Sequence, residues 1–225
     1  MSSDRHSLSL PEELLLLVLR DREGTIAAAW WRQALAGAIL GELILSGRIA
    51  SDPDKKALVG VVKNGSLHHA VLDECLDKIR TTRRRTNLAG WVKYFANLRK
   101  LHHRVAEALC RLGVLHADES KLLGIFKRKV YPEVDPGPER EIVERLRKAI
   151  FSDNKNIEPR TRILLSLAHG ARLLTLPFKK QDLKRVKPRI AQLIEGEPVG
   201  MATADAVRWQ EIQTVLICTM AASSS

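Results

Sequence analysis

The 225-residue chain carries 37 Lys and Arg against 26 Asp and Glu, a formal charge of +11, so it is attracted to polyanions, whether nucleic acid or an anionic lipid surface. With 45% apolar residues and only 4% aromatic ones, it is too hydrophobic for a disordered polyelectrolyte and must build an aliphatic core. Three scattered cysteines, Cys75, Cys110 and Cys218, show no C-x-x-C spacing and leave one over after any pairing, which argues for structural thiols in a reducing compartment.

A first helix is predicted to begin near Leu10. Ser9 and Glu12 have the spacing of a capping box, and Pro11 sits in the first turn, where its missing N–H costs nothing. Leucines at 10, 14, 15, 16, 17 and 19 cover most of its circumference, so neighbours must bury it on several sides. Residues 21–24 break the chain. A second helix follows and ends at Gly47; Ala34, Ala36, Gly37, Ala38 and Gly41 give it a low surface against which another helix can pack closely. Glu42, in this apolar setting, is expected to pair with a cation such as Arg48. The longest apolar stretch, residues 34–45, is about a dozen residues and contains Glu42, short of the roughly 20 that a spanning helix needs. The polar N-terminus shows no signal sequence, so the expectation is a soluble protein that can lie on a membrane without crossing it.

Residues 48–62 read as a small hairpin closed off by Asn64-Gly65, and residues 66–79 as a helix with Leu67, Val71, Leu72, Cys75, Leu76 and Ile79 on one face. A basic linker over residues 81–86 leads into a long amphipathic helix at residues 88–112. There Trp91, Tyr94, Phe95, Leu98, Leu101, Val105, Leu109 and Leu112 share a stripe opposite Lys93, Lys100, Arg104 and Arg111; His102 falls in the stripe and Arg99 at its edge. Residues 114–132 suggest a second hairpin or extended arm. In it Leu122, Leu123, Ile125 and Phe126, beside Lys127, Arg128 and Lys129, suit either an oligomer contact or insertion between lipid headgroups. Helices resume over residues 138–151, 159–176, 181–195 and 205–222, the second of them apolar nearly all round and therefore central, with His169 as a hydrogen-bonded core histidine.

The chain contains no G-x-S-x-G, P-loop, H-E-x-x-H or Rossmann glycine pattern, so the reading is of a binding protein, not an enzyme, with no cofactor. His68-His69 and His102-His103 are adjacent pairs pointing about 100° apart, so no metal site is expected of either. For nucleic acid, base-stacking aromatics, zinc-finger spacing and an RNA-recognition signature are missing.

Five segments in order, SLPEELLLLVLRDREG at 9–24, LAGAILGELILSGRI at 35–49, RLGVL at 111–115, YPEVDP at 131–136 and PRTRILLSLAH at 159–169, resemble the Golgi phosphoprotein 3 family. The YPEVDP form and short N-terminus look more like its prokaryotic branch. The resemblance implies a mainly α fold: a single domain over residues 9–222, a helical bundle ringed by amphipathic helices with one or two small β-hairpins. Disordered ends are expected at residues 1–8 and 223–225. It also implies a peripheral membrane protein, on the cytosolic face of the Golgi if eukaryotic, that binds phosphatidylinositol 4-phosphate or a similar anionic phospholipid. Such a protein would act as an adaptor for the tails of membrane enzymes, with homo-oligomers as a further expectation.

The family's headgroup pocket uses a loop tryptophan, an arginine in the small-residue helix and two arginines three residues apart. Carried over, the first falls on Trp30 or Trp31, the second on Ala36, and the pair on Arg99 and His102. One arginine is kept, one is a histidine and one is lost; Arg32, a turn before Ala36, can return a charge. The candidate headgroup residues are therefore Trp30, Trp31, Arg32, Arg99 and His102. Histidine lacks the forked donors of arginine, so weak or acid-dependent affinity is expected. The alternatives are a protein adaptor without specific lipid binding and a basic nucleic-acid-binding protein.

Overall fold

The computed structural model describes residues 8–20, 23–52, 57–122, 126–154 and 156–223, with the side chains of 120–127 and 214–223 outside that description. Helix α1 (Leu10–Val18) starts where the capping residues place it: the Glu12 carboxylate accepts from the Ser9 N–H at 2.7 Å and from its hydroxyl at 2.8 Å. All nine of its residues are buried, the all-round burial that its leucines demand. Helix α2 (Trp31–Leu45) packs against it, and its small face is used: a Cβ on Gly37 would lie 2.3 Å from Thr203 Oγ1 and 2.5 Å from Leu167 Cδ2.

The first hairpin pairs β1 (Ile49–Asp52) with β2 (Leu58–Val61), Ile49 opposite Val61. Helix α3 (Ala70–Thr81) begins four residues later than its periodicity predicts. The Asp73 carboxylate folds back onto the Leu67 N–H at 2.7 Å and the Ser66 hydroxyl at 2.6 Å, and His69 Nδ1 caps the helix by accepting from the Leu72 N–H.

The long helix predicted over 88–112 is two helices, α4 (Leu88–Ala96) and α5 (Leu101–Arg111). Asn97 donates its side-chain amide to the Lys93 carbonyl at 2.8 Å, and the backbone N–H groups of Asn97 and Leu98 close onto the residue three back. Lys100 then turns through the left-handed region at φ 55°. A side chain competing for the backbone ladder ends the helix that the hydrophobic stripe would continue.

The second hairpin is β3 (Asp118–Leu122) with β4 (Phe126–Val130). Leu123 and Ile125, and the side chains of Leu122 and Phe126, lie outside the described residues, so the expected hairpin contact cannot be placed on the fold. Apart from Leu8 and Ser223, the expected disordered ends also fall outside them. Helices α6 (Gly137–Phe151), α7 (Pro159–Gly170), α8 (Lys180–Arg185), α9 (Lys187–Ile194) and α10 (Pro198–Ser223) complete a mainly α fold. The helix predicted over 181–195 is split at Val186, just before Pro188 in the first turn of α9, and α10 begins seven residues early. There the Glu197 carboxylate accepts from the Val199 and Gly200 N–H groups at 3.0 and 2.6 Å.

Two polar expectations are corrected. Glu42 pairs with Arg160, not Arg48: Arg160 Nη2 lies 2.9 Å from Glu42 Oε1, while Glu42 Oε2 accepts from the Leu10 N–H at 2.6 Å. Arg48 instead donates to the carbonyls of Asn64 and Ser66. Residues 32 and 118 positions away in sequence thus meet at the start of α1, where a carboxylate gains from the unsatisfied helix N–H groups. His169 lies in the last turn of α7 and is exposed, because the helix ends at Gly170 instead of running on to 176.

Candidate functional site

Leu19 leaves α1 extended and bridges antiparallel to Ile26, and the Arg20 N–H donates to the Thr25 carbonyl at 2.8 Å, so the chain returns on itself between Leu19 and Ile26. Gly24, at φ 58°, donates its N–H to the Arg20 carbonyl at 2.7 Å, and its own carbonyl accepts from the Tyr131 N–H at 3.0 Å. A Cβ on Gly24 would lie 2.2 Å from the Tyr131 carbonyl carbon and 2.3 Å from the Pro132 nitrogen. The return and the Tyr131-Pro132 segment are thereby clasped, backbone on backbone.

A cavity of about 440 Å³ opens beside this clasp. Leu19, Gly24 and Ile26 form one wall; α5 and the turn before it supply Lys100, His102, His103 and Glu107; β4 and the residue after it supply Arg128, Lys129 and Tyr131. Tyr131 Oη and His103 Nδ1 are 2.8 Å apart, and Lys129 Nζ is 3.6 Å from Glu107 Oε1. Burial pushes the Tyr131 phenol up to about 12, with the Glu107 carboxylate adding to it, so the ring holds its proton and can donate to His103 or to a bound anion. Lys100 and Arg128 have no ion pair among the described residues.

His102 lies between this cavity and the start of α2. Its ring meets Trp31 edge-on with centroids 4.8 Å apart, and the Arg32 guanidinium carbon lies 5.0 Å from the centre of the same indole. The His102 and His103 rings are themselves 3.9 Å apart. Burial, then the neighbouring His103, Arg32 and Arg128, lower the His102 pKa to about 4. His103 is lowered too, by burial and then by Lys129. Both imidazoles are therefore neutral at pH 7 in a field of cations, a state that an incoming anion would reverse.

Of the candidate residues, the structure brings Trp31, Arg32 and His102 together. Trp30 is the half-buried N-cap of α2 and packs on the core. Arg99 is exposed in the turn between α4 and α5 and does not line the cavity. Sequence reasoning missed Lys100, His103 and Tyr131, and assigned Arg128 and Lys129 only to the hairpin. The available signal was the pairing of a glycine turn with the YPEVDP segment.

A family model for Golgi phosphoprotein 3 (GPP34) matches residues 10–210. The chain belongs to this family. It is also similar to vacuolar protein sorting-associated protein 74 of Eremothecium gossypii, 28% identical over 216 residues, covering 78% of this chain and 64% of the relative. The chain thus spans just under two thirds of the length of that curated relative. No described helix of this Golgi phosphoprotein 3 family member is long and apolar enough to cross a membrane.

Proposed function

We infer that the protein binds the phosphate of an anionic phospholipid headgroup, of the phosphatidylinositol 4-phosphate kind, in the cavity between α5, β4 and the Leu19–Ile26 return, with the start of α2 beside it. The observation that carries this reading is the convergence of Lys100, Arg128, Lys129 and Arg32 on two neutral histidines and a phenol, with Glu107 the one carboxylate among the described residues of the wall. A phosphate takes up to several donors at once, and its charge offsets a cationic surplus that the protein leaves uncompensated. Trp31, held edge-on against His102, can rest at the depth of the headgroups, where indoles are favoured.

The protein is then a peripheral membrane protein, and the relative's name, which links that protein to sorting, supports an adaptor role for this one. Sedimentation with phosphatidylcholine vesicles, with and without phosphatidylinositol 4-phosphate, tests the reading. The expected result is retention on the phosphoinositide vesicles, stronger at pH 5.5 than at pH 7.5 because a bound phosphate draws protons onto His102 and His103. Equal retention on vesicles of phosphatidylserine at matched charge, unchanged by Arg128→Ala or Lys100→Ala, would sink the pocket and leave only diffuse attraction.

A further inference from the structure

A second hollow, of about 320 Å³, opens where α7 ends and the chain turns into α8 and α9. Leu174, Leu183 and Ile190 form its floor; Leu174 and Ile190 are 5% and 3% exposed. Arg172, Lys180, Lys184 and Lys187 stand around the mouth. Residues 179–189 hold six cations and one carboxylate, Asp182. Arg189 is spent on the end of α6, donating to the carbonyls of Ala149, Ile150 and Asn154. The three lysines at the mouth have no ion pair among the described residues, whereas Arg172 pairs with Glu211 at 2.7 Å.

Arg172 also adopts φ 60° at the position after the α7 C-cap, where glycine is the usual occupant. The fold accepts that conformation and sets a guanidinium at the rim.

The chemistry of the walls selects the occupant. Apart from the cations, only Thr175 and the exposed His169 offer polar groups, so a peptide backbone laid in the hollow would leave amide groups unpaired. An alkyl chain has none to leave. Its volume falls at the small end of ligand sites, which suits one chain and not a diacyl lipid. An apolar floor under three lysines with no ion pair among the described residues matches a molecule with an apolar tail and a negative head. We propose that this hollow binds a single alkyl chain bearing an anionic head, as a fatty acid or an alkyl phosphate does. It is separate from the headgroup cavity and stands without it.

Titration calorimetry of the full chain with sodium octanoate, sodium decanoate and decyl phosphate, all below their micelle concentrations, tests this. One molecule should bind per chain. Decanoate should exceed octanoate by about 15-fold, since each buried methylene contributes roughly fourfold. Replacing Lys184→Ala and Lys187→Ala together should weaken decanoate about 25-fold, at roughly fivefold per basic residue near the head. Leu183→Ser, at a half-exposed site, should shrink the octanoate-to-decanoate gain while circular dichroism stays native. Decanoate and decyl phosphate distinguish a carboxylate source from a phosphate one, and tighter binding of either supports the site. Decyltrimethylammonium bound as tightly as decanoate, no gain with chain length, or an Asp- and Glu-rich peptide bound in preference to decanoate would overturn it.

Discussion

Around the start of α1, each buried carboxylate has a cationic or hydrogen-bonded partner, Ser9 serving Glu12. Glu42 holds Arg160 and the Leu10 N–H, Glu13 lies 2.6 Å from Arg145, and Glu12 meets His69 at 3.4 Å. At the cavity beside α5 the balance is left open: Lys100 and Arg128 face neutral imidazoles, and Glu107 is the single carboxylate among the described residues of the wall. The same residue types serve opposite ends in the two places. Charges that hold the fold are saturated by partners, because an unpaired buried charge is costly, whereas the cavity cations stand in surplus near solvent, as the proposed anion site requires.

The largest effect should come from breaking the saturated set. Glu42→Ala leaves the Leu10 N–H without its carboxylate and Arg160 with only the Leu8 carbonyl and Glu13 at 3.9 Å, and should cost about 3 kcal/mol in urea unfolding, a melting temperature lower by roughly 6–12 °C. A smaller loss, about 2 kcal/mol, is expected for Gly24→Ala, from its left-handed backbone and its overlap with Tyr131. Gly24 lies on the cavity wall, so amide exchange at Tyr131 should quicken and phosphoinositide-vesicle binding should fall in the same variant.

Changes on the open side should spare stability. Arg128→Ala and Lys100→Ala should each weaken binding to anionic vesicles about fivefold, roughly 1 kcal/mol, with the urea midpoint unmoved. Arg99→Ala, outside the cavity wall, should have less effect than either. The mildest signature is in pH. His102 in the folded chain titrates near 4, below its ordinary 6.5, so the unfolded chain takes up the proton first. Its contribution to stability is complete above about pH 6.5 and is lost as pH falls towards 4. His102→Gln should flatten that part of the stability curve, and the imidazole resonance of the parent protein should titrate near 4 when free and higher with phosphoinositide bound.

Much of the fold was readable because it rests on local chemistry. The capping residues, the leucine-covered first helix, the small face of α2 and the first hairpin each depend on neighbours in sequence. What could not be read depended on distant partners or on a side chain competing with the backbone. Glu42 chose Arg160, 118 residues away, over the nearby Arg48. Asn97 and Lys100 broke a stripe that continues on either side of them, and so changed the direction in which residues 99 and 102 point relative to the helix before them. The candidate site suffered most from this. Trp31, Arg32 and His102 came together, but the lysines and the tyrosine around the cavity arrive on a strand and a turn whose place beside α5 no local pattern announces.

The clasp between Gly24 and Tyr131 has a mechanical consequence. The strand that delivers Arg128 and Lys129 runs straight into Tyr131, whose amide is tied to the Gly24 carbonyl and whose hydroxyl is tied to His103. Any displacement of β4 would therefore reach two elements at once through a single tyrosine, so the position of that strand and the arrangement of the histidines are coupled.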